Sequence, residues 1–144
     1  MNLRDIAEAG CAKLAAAYIE AWKAFDLTAV MKLHTADSVF HLHATGQSPA
    51  VGPAAVRAAF EASMAVLSDI QVEVGRLRVG DDFWVVELTM RGKLGGKTAV
   101  EMPGVDLVSV RDGLVARKDS YFDSGPVMAL LAADQKSPMS QDAP

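Results

Sequence analysis

The sequence has few of the residues that build disulfides, secretion signals or membrane anchors. Its 144 residues include one cysteine, Cys11, so no disulfide can form within the chain. The N-terminal stretch MNLRDIAEAG places acidic residues where a signal peptide needs a basic start and an apolar segment. No apolar run approaches the roughly 20 residues that a membrane-spanning helix requires. These absences predict a cytoplasmic protein with no membrane partner.

Positive charge is also scarce. Fourteen Lys and Arg residues stand against eighteen Asp and Glu residues, which gives a net charge of -4. No basic run is present that could neutralise a phosphate backbone, so nucleic acid is excluded as an expected partner. Apolar residues make up 51% of the chain and charged residues 22%, which is a globular composition. The length suits one domain with a sizeable core.

The first third of the chain is predicted to be mainly helical. Apolar residues recur at helical spacing over residues 3–25, and Asp26 can cap a second helix that ends near His34. The stretch SVFHLHA then alternates with period two and predicts a short strand. A third helix is expected to open at Pro53, because a proline at the first helical position loses no hydrogen bond.

The rest of the chain is predicted to form consecutive strands. The strand segments are IQVEVGRLRV, DFWVVELTMRG, KTAVEMPGVDLVSV and LVARKDSYFD, joined by the turns GDD, KLGG and RDG. Helices followed by antiparallel strands predict an α+β fold in which the helices cover one face of the sheet. We expect one domain over residues 1–133, ending in a short helical segment, and a flexible C-terminal tail over residues 134–144.

Alternation assigns the two faces of each predicted strand. The face of the second long strand that should meet the helices carries Trp84, Val86, Leu88 and Met90. Asp106 falls on the inner face of the next strand, so this carboxyl group needs either a partner or a raised pKa. In the last strand alternation leaves open which face is inner, that of Arg117, Asp119 and Tyr121 or that of Lys118, Ser120 and Phe122.

Three segments and the order of the elements resemble one protein superfamily. AAYIEAWKAFDLTAVMKLHTADSVF is similar to its opening helices and first strand, VGPAAVRAAFE to its third helix, and DGLVARKDSYFD to its closing strand. This is the ketosteroid isomerase-like (nuclear transport factor 2-like) superfamily, which includes SnoaL-like polyketide cyclases and limonene epoxide hydrolases. The resemblance covers about residues 3–130. It implies a cone-shaped α+β barrel, with three N-terminal helices packed in a curved, mainly antiparallel sheet around a deep apolar pocket.

The resemblance also implies roles for single residues. Tyr18 matches the tyrosine of the oxyanion hole of ketosteroid isomerase, and Asp106 matches its second donor, a protonated aspartic acid. The aspartate base of that enzyme has no match, and His41 lies nearest to its position. Asp119 matches the acid/base aspartate of the epoxide hydrolases and, more loosely, of the cyclases.

The candidate site combines these residues with the expected pocket walls. The candidate catalytic residues are Asp119, Asp106, Tyr18 and His41. The expected substrate-binding residues are Trp84, Val86, Leu88, Met90, Met102, Phe60, Arg117, Tyr121 and His43. Each polar residue also has a structural interpretation: Tyr18 as a core aromatic, Asp106 as the partner of a neighbour such as Arg117, Asp119 as a surface residue, and His41 as a core or rim residue.

The pair of histidines in HLH does not predict a metal site. A metal needs three or four ligands within reach, and no histidine follows His43 in the sequence. We therefore expect no metal and no organic cofactor. An imidazole with a pKa near neutrality is a competent base, so His41 or Asp119 would remove a proton from the substrate.

The favoured hypothesis is a cofactor-independent acid/base enzyme, an isomerase or aldol-type cyclase, acting on a small hydrophobic ring or carbonyl substrate such as a steroid or polyketide. Epoxide hydrolysis is an alternative, although the Arg and Asp pair of those hydrolases would fall here at Leu88 and Met90. A non-catalytic ligand-binding or assembly module is a second alternative, because one fold serves many functions. A homodimer is expected through the outer face of the sheet, where Val85, Val105 and Leu107 lie.

Overall fold

The computed structural model describes residues 10–44 and 46–141, with side chains described as far as Ala133. The part of the first predicted helix before residue 10 lies outside the described residues. The helices are α1 (Ala12–Lys23), α2 (Leu27–Lys32), α3 (Pro53–Met64) and α4 (Gly125–Gln141). The strands are β1 (His34–Leu42), β2 (Ala50–Val51), β3 (Leu67–Val79), β4 (Phe83–Leu94), β5 (Thr98–Arg111) and β6 (Leu114–Phe122).

The six strands form one curved sheet in the order β2-β1-β6-β5-β4-β3. Every neighbouring pair is antiparallel except β1 and β6, which run parallel and bring the first long strand beside the last. The sheet does not close on itself, and the helices pack in its concave side. The predicted α+β cone with its mainly antiparallel sheet is confirmed.

Local sequence signals explain most of the element boundaries. The Asp26 carboxylate accepts a hydrogen bond from the Ala29 N–H at 3.0 Å and caps α2, as expected from its position. Pro53 is the first residue of α3. In the turn between β5 and β6, Asp112 and Gly113 have φ values of 54° and 74°, and positive φ at both positions suits a tight hairpin.

One boundary differs from the prediction. His34, expected at the end of a helix, is the first residue of β1 and is 7% exposed. Helix α2 ends earlier, at Lys32, because the chain must turn there to place β1 beside β6. Helix α4 extends to Gln141, past residue 133, the predicted end of the domain. That domain boundary stays a prediction.

The core lies between the helices and the concave face of the sheet. Its largest fully buried side chains are Trp84 and Phe60, which pack with residues of α1, α2, β1, β4, β5 and β6. A second, smaller cluster joins Val127 of α4 to Leu67, Leu94 and Val100 at the other end of the sheet. Among the described residues, no helix combines the length and the apolar character that a membrane span demands.

Candidate active site in the cone cavity

An open cavity of about 310 Å³ lies between the helices and the concave face of the sheet. Its walls are mostly apolar and include Phe40, Leu42, Phe60, Met64, Leu88, Met90, Met102, Phe122 and Val127. These residues come from β1, α3, β4, β5, β6 and α4, so the whole cone contributes to the wall. Phe60, Leu88, Met90 and Met102 were expected to line such a pocket, and the structure places all four there.

Charged and polar side chains reach this cavity from two neighbouring strands. Asp106 on β5 lies opposite Ser120 on β6 and diagonal to Lys118, which pairs with Val108. The Ser120 hydroxyl donates to Asp106 Oδ1 at 2.6 Å, and Lys118 Nζ lies 3.5 Å from Asp106 Oδ2. The side chains of Lys118 and Asp106 are only 8% and 9% exposed, so this is a buried ion pair at the cavity wall.

Aromatic rings enclose the ammonium group of Lys118. Its Nζ lies 4.2 Å from the ring centroid of Trp22, 5.3 Å from that of Phe60, 5.4 Å from that of Tyr18 and 5.9 Å from that of Phe40. Ring faces attract a cation, and Asp106 supplies the opposite charge. Burial nevertheless lowers the pKa of Lys118, because little water remains to solvate the charge, while Asp106 acts in the opposite direction.

The indole of Trp22 lies at the cavity with its polar atom buried. Trp22 lines the cavity, and its Nε1–H is buried without a hydrogen-bond partner among the described residues. A buried indole N–H usually has an acceptor, since leaving it unpaired costs about 1–3 kcal/mol. Because the nitrogen itself is buried, the indole meets the cavity with its apolar atoms and its N–H does not open onto it.

Behind the cavity, Tyr18, His34 and Ser38 form a buried hydrogen-bonded chain. The Tyr18 hydroxyl lies 3.0 Å from His34 Nε2, and His34 Nδ1 lies 3.0 Å from the Ser38 hydroxyl. Burial and then the charge of Lys118 lower the pKa of His34 to about 4, so the ring is neutral at pH 7. Burial raises the pKa of Tyr18.

This chain determines what Tyr18 can do. A neutral imidazole offers one donor and one acceptor, which satisfies both hydroxyl groups in either tautomer. Tyr18 is 3% exposed and is not part of the cavity wall. Its hydroxyl is therefore engaged with His34 and does not converge with Asp106 on a common point in the cavity. Tyr18 therefore lies in the structure as a buried core aromatic, as its structural interpretation had it.

The structure places Asp119 outside the cavity, which corrects the expectation that it is a catalytic residue there. In β6 the residues that line the cavity are Lys118, Ser120 and Phe122, so Arg117, Asp119 and Tyr121 lie on the outer face. The physical reason is that the alternative, Lys118 outside and Asp119 inside, would leave Asp106 without its cation. The neighbouring strand agrees, because Phe40 and Leu42 line the cavity and His41 between them faces outward.

The outer-face residues form a cluster of their own. Arg117 donates from Nε and Nη2 to the two oxygens of Asp119, at 2.8 and 2.9 Å, and this fork lowers the pKa of Asp119. His43 Nε2 lies 2.7 Å from Asp119 Oδ1, and its ring stacks on that of Tyr121 at 4.1 Å. The ring of His41 lies 3.8 Å from that of His43, and part of His43 also reaches the cavity rim.

Three atoms of this cluster could serve as metal ligands. His41, His43 and Asp119 each offer one ligand atom, and these atoms lie within 4.8 Å of one another. The fold thus supplies the third ligand whose absence argued against a metal in the sequence. The donor set fits a divalent ion in number and kind, but the Arg117 guanidinium already occupies both Asp119 oxygens and repels a cation.

The remaining predicted residues, Trp84 and Val86, lie deeper than expected. Trp84 is 1% exposed and Val86 is 3% exposed, and both pack in the main core rather than on the cavity wall. The inward assignment of β4 is therefore correct for all four residues that it named. Leu88 and Met90, further along the same strand, line the cavity.

Residues 15–118 match the SnoaL-like domain family. This chain belongs to the SnoaL-like domain family. A comparison with curated proteins finds no match. The match to this family model confirms the suspected SnoaL-like family.

Solved structures share the fold at low sequence identity. A candidate SnoaL-like polyketide cyclase from Jannaschia sp. CCS1 is 21% identical with a TM-score of 0.69, covering 80% of this chain and 85% of its own. The protein TerC, crystallised with polyporic acid, is 17% identical with a TM-score of 0.73, covering 85% and 98%. A ketosteroid isomerase-like protein from Catenulispora acidiphila, in complex with trimethylamine, is 19% identical with a TM-score of 0.67, covering 76% and 85%.

The charged and polar partners of Asp106 at the cavity of this SnoaL-like domain, Lys118 and Ser120, were not among the predicted site residues, and neither was Trp22. Lys118 and Ser120 were named only in one of the two alternative inner faces of the last strand, and Trp22 lies in the first predicted helix without a predicted role. One signal was present in the sequence: Asp106 was expected to need a partner, and Lys118 and Ser120 lie on the adjacent strand. No signal identified His34, because its neighbours Leu33 and Thr35 suit the end of a helix as well as the start of a strand.

Proposed function

We propose that this SnoaL-like domain is a cofactor-independent acid/base enzyme, an isomerase or aldol-type cyclase, acting on a small hydrophobic ring molecule that bears a carbonyl. The main support is the charged pair of Asp106 and Lys118 at the wall of an otherwise apolar cavity. A volume of about 310 Å³ suits a small ring system, since ligand pockets typically measure roughly 300–1,000 Å³.

In this proposal Asp106 and Lys118 have separate roles in the proton transfer. The Asp106 carboxylate removes a proton from the carbon next to the carbonyl, and Ser120 holds that carboxylate in place. The Lys118 ammonium stabilises the negative charge that develops on the carbonyl oxygen. Asp106 is thus proposed as the base, in place of the hydrogen-bond donor role implied by the resemblance to ketosteroid isomerase.

The base role expected of Asp119 and His41 passes to Asp106. Both residues lie on the outer face of the sheet, separated from the cavity by the strands that carry them. Epoxide hydrolysis has no supporting observation, because Leu88 and Met90 form an apolar wall where those hydrolases place Arg and Asp. The fold relatives support a small-molecule ligand, since one was crystallised with polyporic acid and another with trimethylamine.

Proton exchange in heavy water tests this function. The probe is 2-tetralone, a bicyclic ketone, and proton NMR follows the loss of its protons next to the carbonyl above the uncatalysed rate. We expect the protein to accelerate exchange and Asp106→Asn to reduce it about 10²–10⁴-fold, the usual range for an acid–base group. Asp119→Asn is the matched control on the opposite face of the sheet and should retain the wild-type rate.

Two outcomes would contradict the proposal. Exchange unaffected by Asp106→Asn in a folded variant would remove the proposed base. Tight binding of 2-tetralone to the wild-type protein with no exchange above the background rate would favour a non-catalytic binding module instead. Thermal unfolding of each variant identifies any loss that comes from misfolding, because Asp106→Asn leaves Lys118 buried without its charged partner.

We also propose that the domain is a homodimer in the cytoplasm. The outer face of the sheet carries large exposed apolar side chains, with Phe83, Leu107 and Tyr121 each between 40% and 46% exposed. Val85 pairs with Leu107, and Val105 pairs with Tyr121, so these residues form one stripe across β4, β5 and β6. The lone free cysteine, Cys11, is buried and suits a reducing compartment.

A further inference from the structure

A purely electrostatic role for Lys118 requires neither an amine enclosed by rings nor a lysine in place of an arginine. Its amine is enclosed among the rings of Trp22, Phe60, Tyr18 and Phe40, with only 8% of the side chain exposed. An arginine would hold a positive charge in such a place at any physiological pH, whereas a lysine can lose its proton there. A desolvated lysine in an apolar pocket is the usual form of an amine nucleophile.

We propose that Lys118 is a nucleophile that forms a Schiff base with an aldehyde or ketone bound in the cavity. This inference rests on the proposed function, because it uses the same cavity and the same carbonyl substrate class. It goes further in assigning a covalent intermediate, in which the carbonyl carbon is bonded to Nζ of Lys118.

The neighbouring carboxylate is placed to manage the protons of this reaction. Asp106 Oδ2 lies 3.5 Å from Nζ, and Ser120 donates to the other oxygen of the same carboxylate at 2.6 Å. Asp106 can therefore take a proton from the ammonium and release the free amine.

The atoms balance without an oxidant or reductant. The free amine adds to the carbonyl carbon, a C–N bond forms, and a proton moves from nitrogen to oxygen to give a carbinolamine. The protonated Asp106 then donates its proton to the hydroxyl group, which leaves as water when the C–O bond breaks. The products are a protonated imine and an ionised Asp106, so a cation again lies beside a carboxylate inside the same aromatic enclosure.

The protonated imine would also assist the proposed proton transfer. Its positive nitrogen is bonded directly to the former carbonyl carbon, so it withdraws electrons more strongly than an ammonium held nearby. Asp106, ionised again, removes the proton from the adjacent carbon and yields an enamine. Return of the proton and hydrolysis by one water release the carbonyl compound and regenerate the Lys118 amine.

Reductive trapping tests the inference on the full-length protein. The probe is 2-naphthaldehyde with sodium cyanoborohydride at neutral pH, followed by intact mass measurement and peptide mapping. We expect one reduced probe per chain, located at Lys118, and labelled at least about tenfold faster than exposed lysines such as Lys93, which is 50% exposed, because its amine is desolvated. An excess of 2-methylnaphthalene, which has no carbonyl, should slow labelling at Lys118 and leave Lys93 unaffected.

Lys118→Arg should abolish the label in the cavity, and Lys93→Arg is the matched control that should not. Labelling of Lys118 at or below the rate of Lys93 in the wild-type protein would overturn the inference, and this comparison does not depend on any variant folding. The exchange of 2-tetralone separates the two proposals. Exchange that needs Asp106 without any trapping at Lys118 would leave the proposed function standing and the Schiff base refuted. Trapping at Lys118 without exchange would support the Schiff base and refute the proposed proton transfer.

Discussion

Acidification should destabilise this protein over a defined range through one buried residue, His34. Burial beside Lys118 lowers the pKa of His34 from 6.5 to about 4 in the folded state. The unfolded chain therefore binds more protons than the folded chain between these two values. The stabilisation is fully present above pH 6.5 and is lost as the pH falls from 6.5 toward 4.

The size of the effect follows from the two pKa values. A difference between 6.5 and about 4 corresponds to a total loss of about 3 kcal/mol once the pH is below both values. Most of this loss occurs above pH 5, since lowering the pH from about 7 to about 5 should reduce the free energy of unfolding by about 2 kcal/mol. Asp119 adds little in this range, because Arg117 lowers its pKa further below 3.8 and its contribution is lost only in stronger acid.

Urea unfolding followed by tryptophan fluorescence measures this loss, since Trp84 is buried in the core. His34→Gln is the control, because an amide can retain a hydrogen bond to Tyr18 and does not titrate. We expect the variant to be less stable than the wild type at pH 7. Its free energy of unfolding should change little between pH 7 and pH 5. Equal pH dependence in the two proteins, or an NMR titration placing the pKa of His34 near 6.5, would refute the reasoning.

Three further predictions concern the cavity and the outer face. Leu88→Trp should fill part of the cavity and weaken binding of 2-tetralone at least about tenfold by calorimetry, and unchanged affinity in a folded variant would place the ligand elsewhere. Leu107→Lys should convert a dimer to a monomer in light scattering, whereas a wild-type protein that is already monomeric at micromolar concentration would remove the dimer proposal. Arg117→Leu should release Asp119 and tighten Zn²⁺ binding by the outer cluster several-fold, and equal affinity of both proteins would show that Asp119 is not a ligand.

Much of the fold was predictable because local chemistry fixes it. Alternation identified the four consecutive strands β3 to β6, and the turn residues Asp112 and Gly113 marked a hairpin that the structure contains. Alternation also placed Asp106 inside, where it is 6% exposed. These features depend on neighbours within a few residues, so a single sequence carries them.

The rest depends on contacts between distant segments. Alternation separates Lys118 from Asp119, but which of them is inside is decided by Asp106 on β5 and by ring side chains from α1, β1 and α3. A lysine is normally an outward residue, so the sequence alone did not favour the correct face of β6 over the wrong one. The third potential metal ligand was invisible for the same reason, since Asp119 meets His41 only through the pairing of β1 with β6.

That parallel pairing also sets the order in which the protein can be made. His41 is aligned with Asp119, so β1 must wait for about eighty further residues to be synthesised before its long neighbour exists, and such distant pairing folds slowly. A nascent chain that ends before β6 already contains Trp22, Phe40 and Phe60 but lacks the amine they surround. Lys118 can therefore enter its ring enclosure only after β6 has been made, and the exposed edges of β1 and β5 are the surfaces a chaperone would need to protect until then.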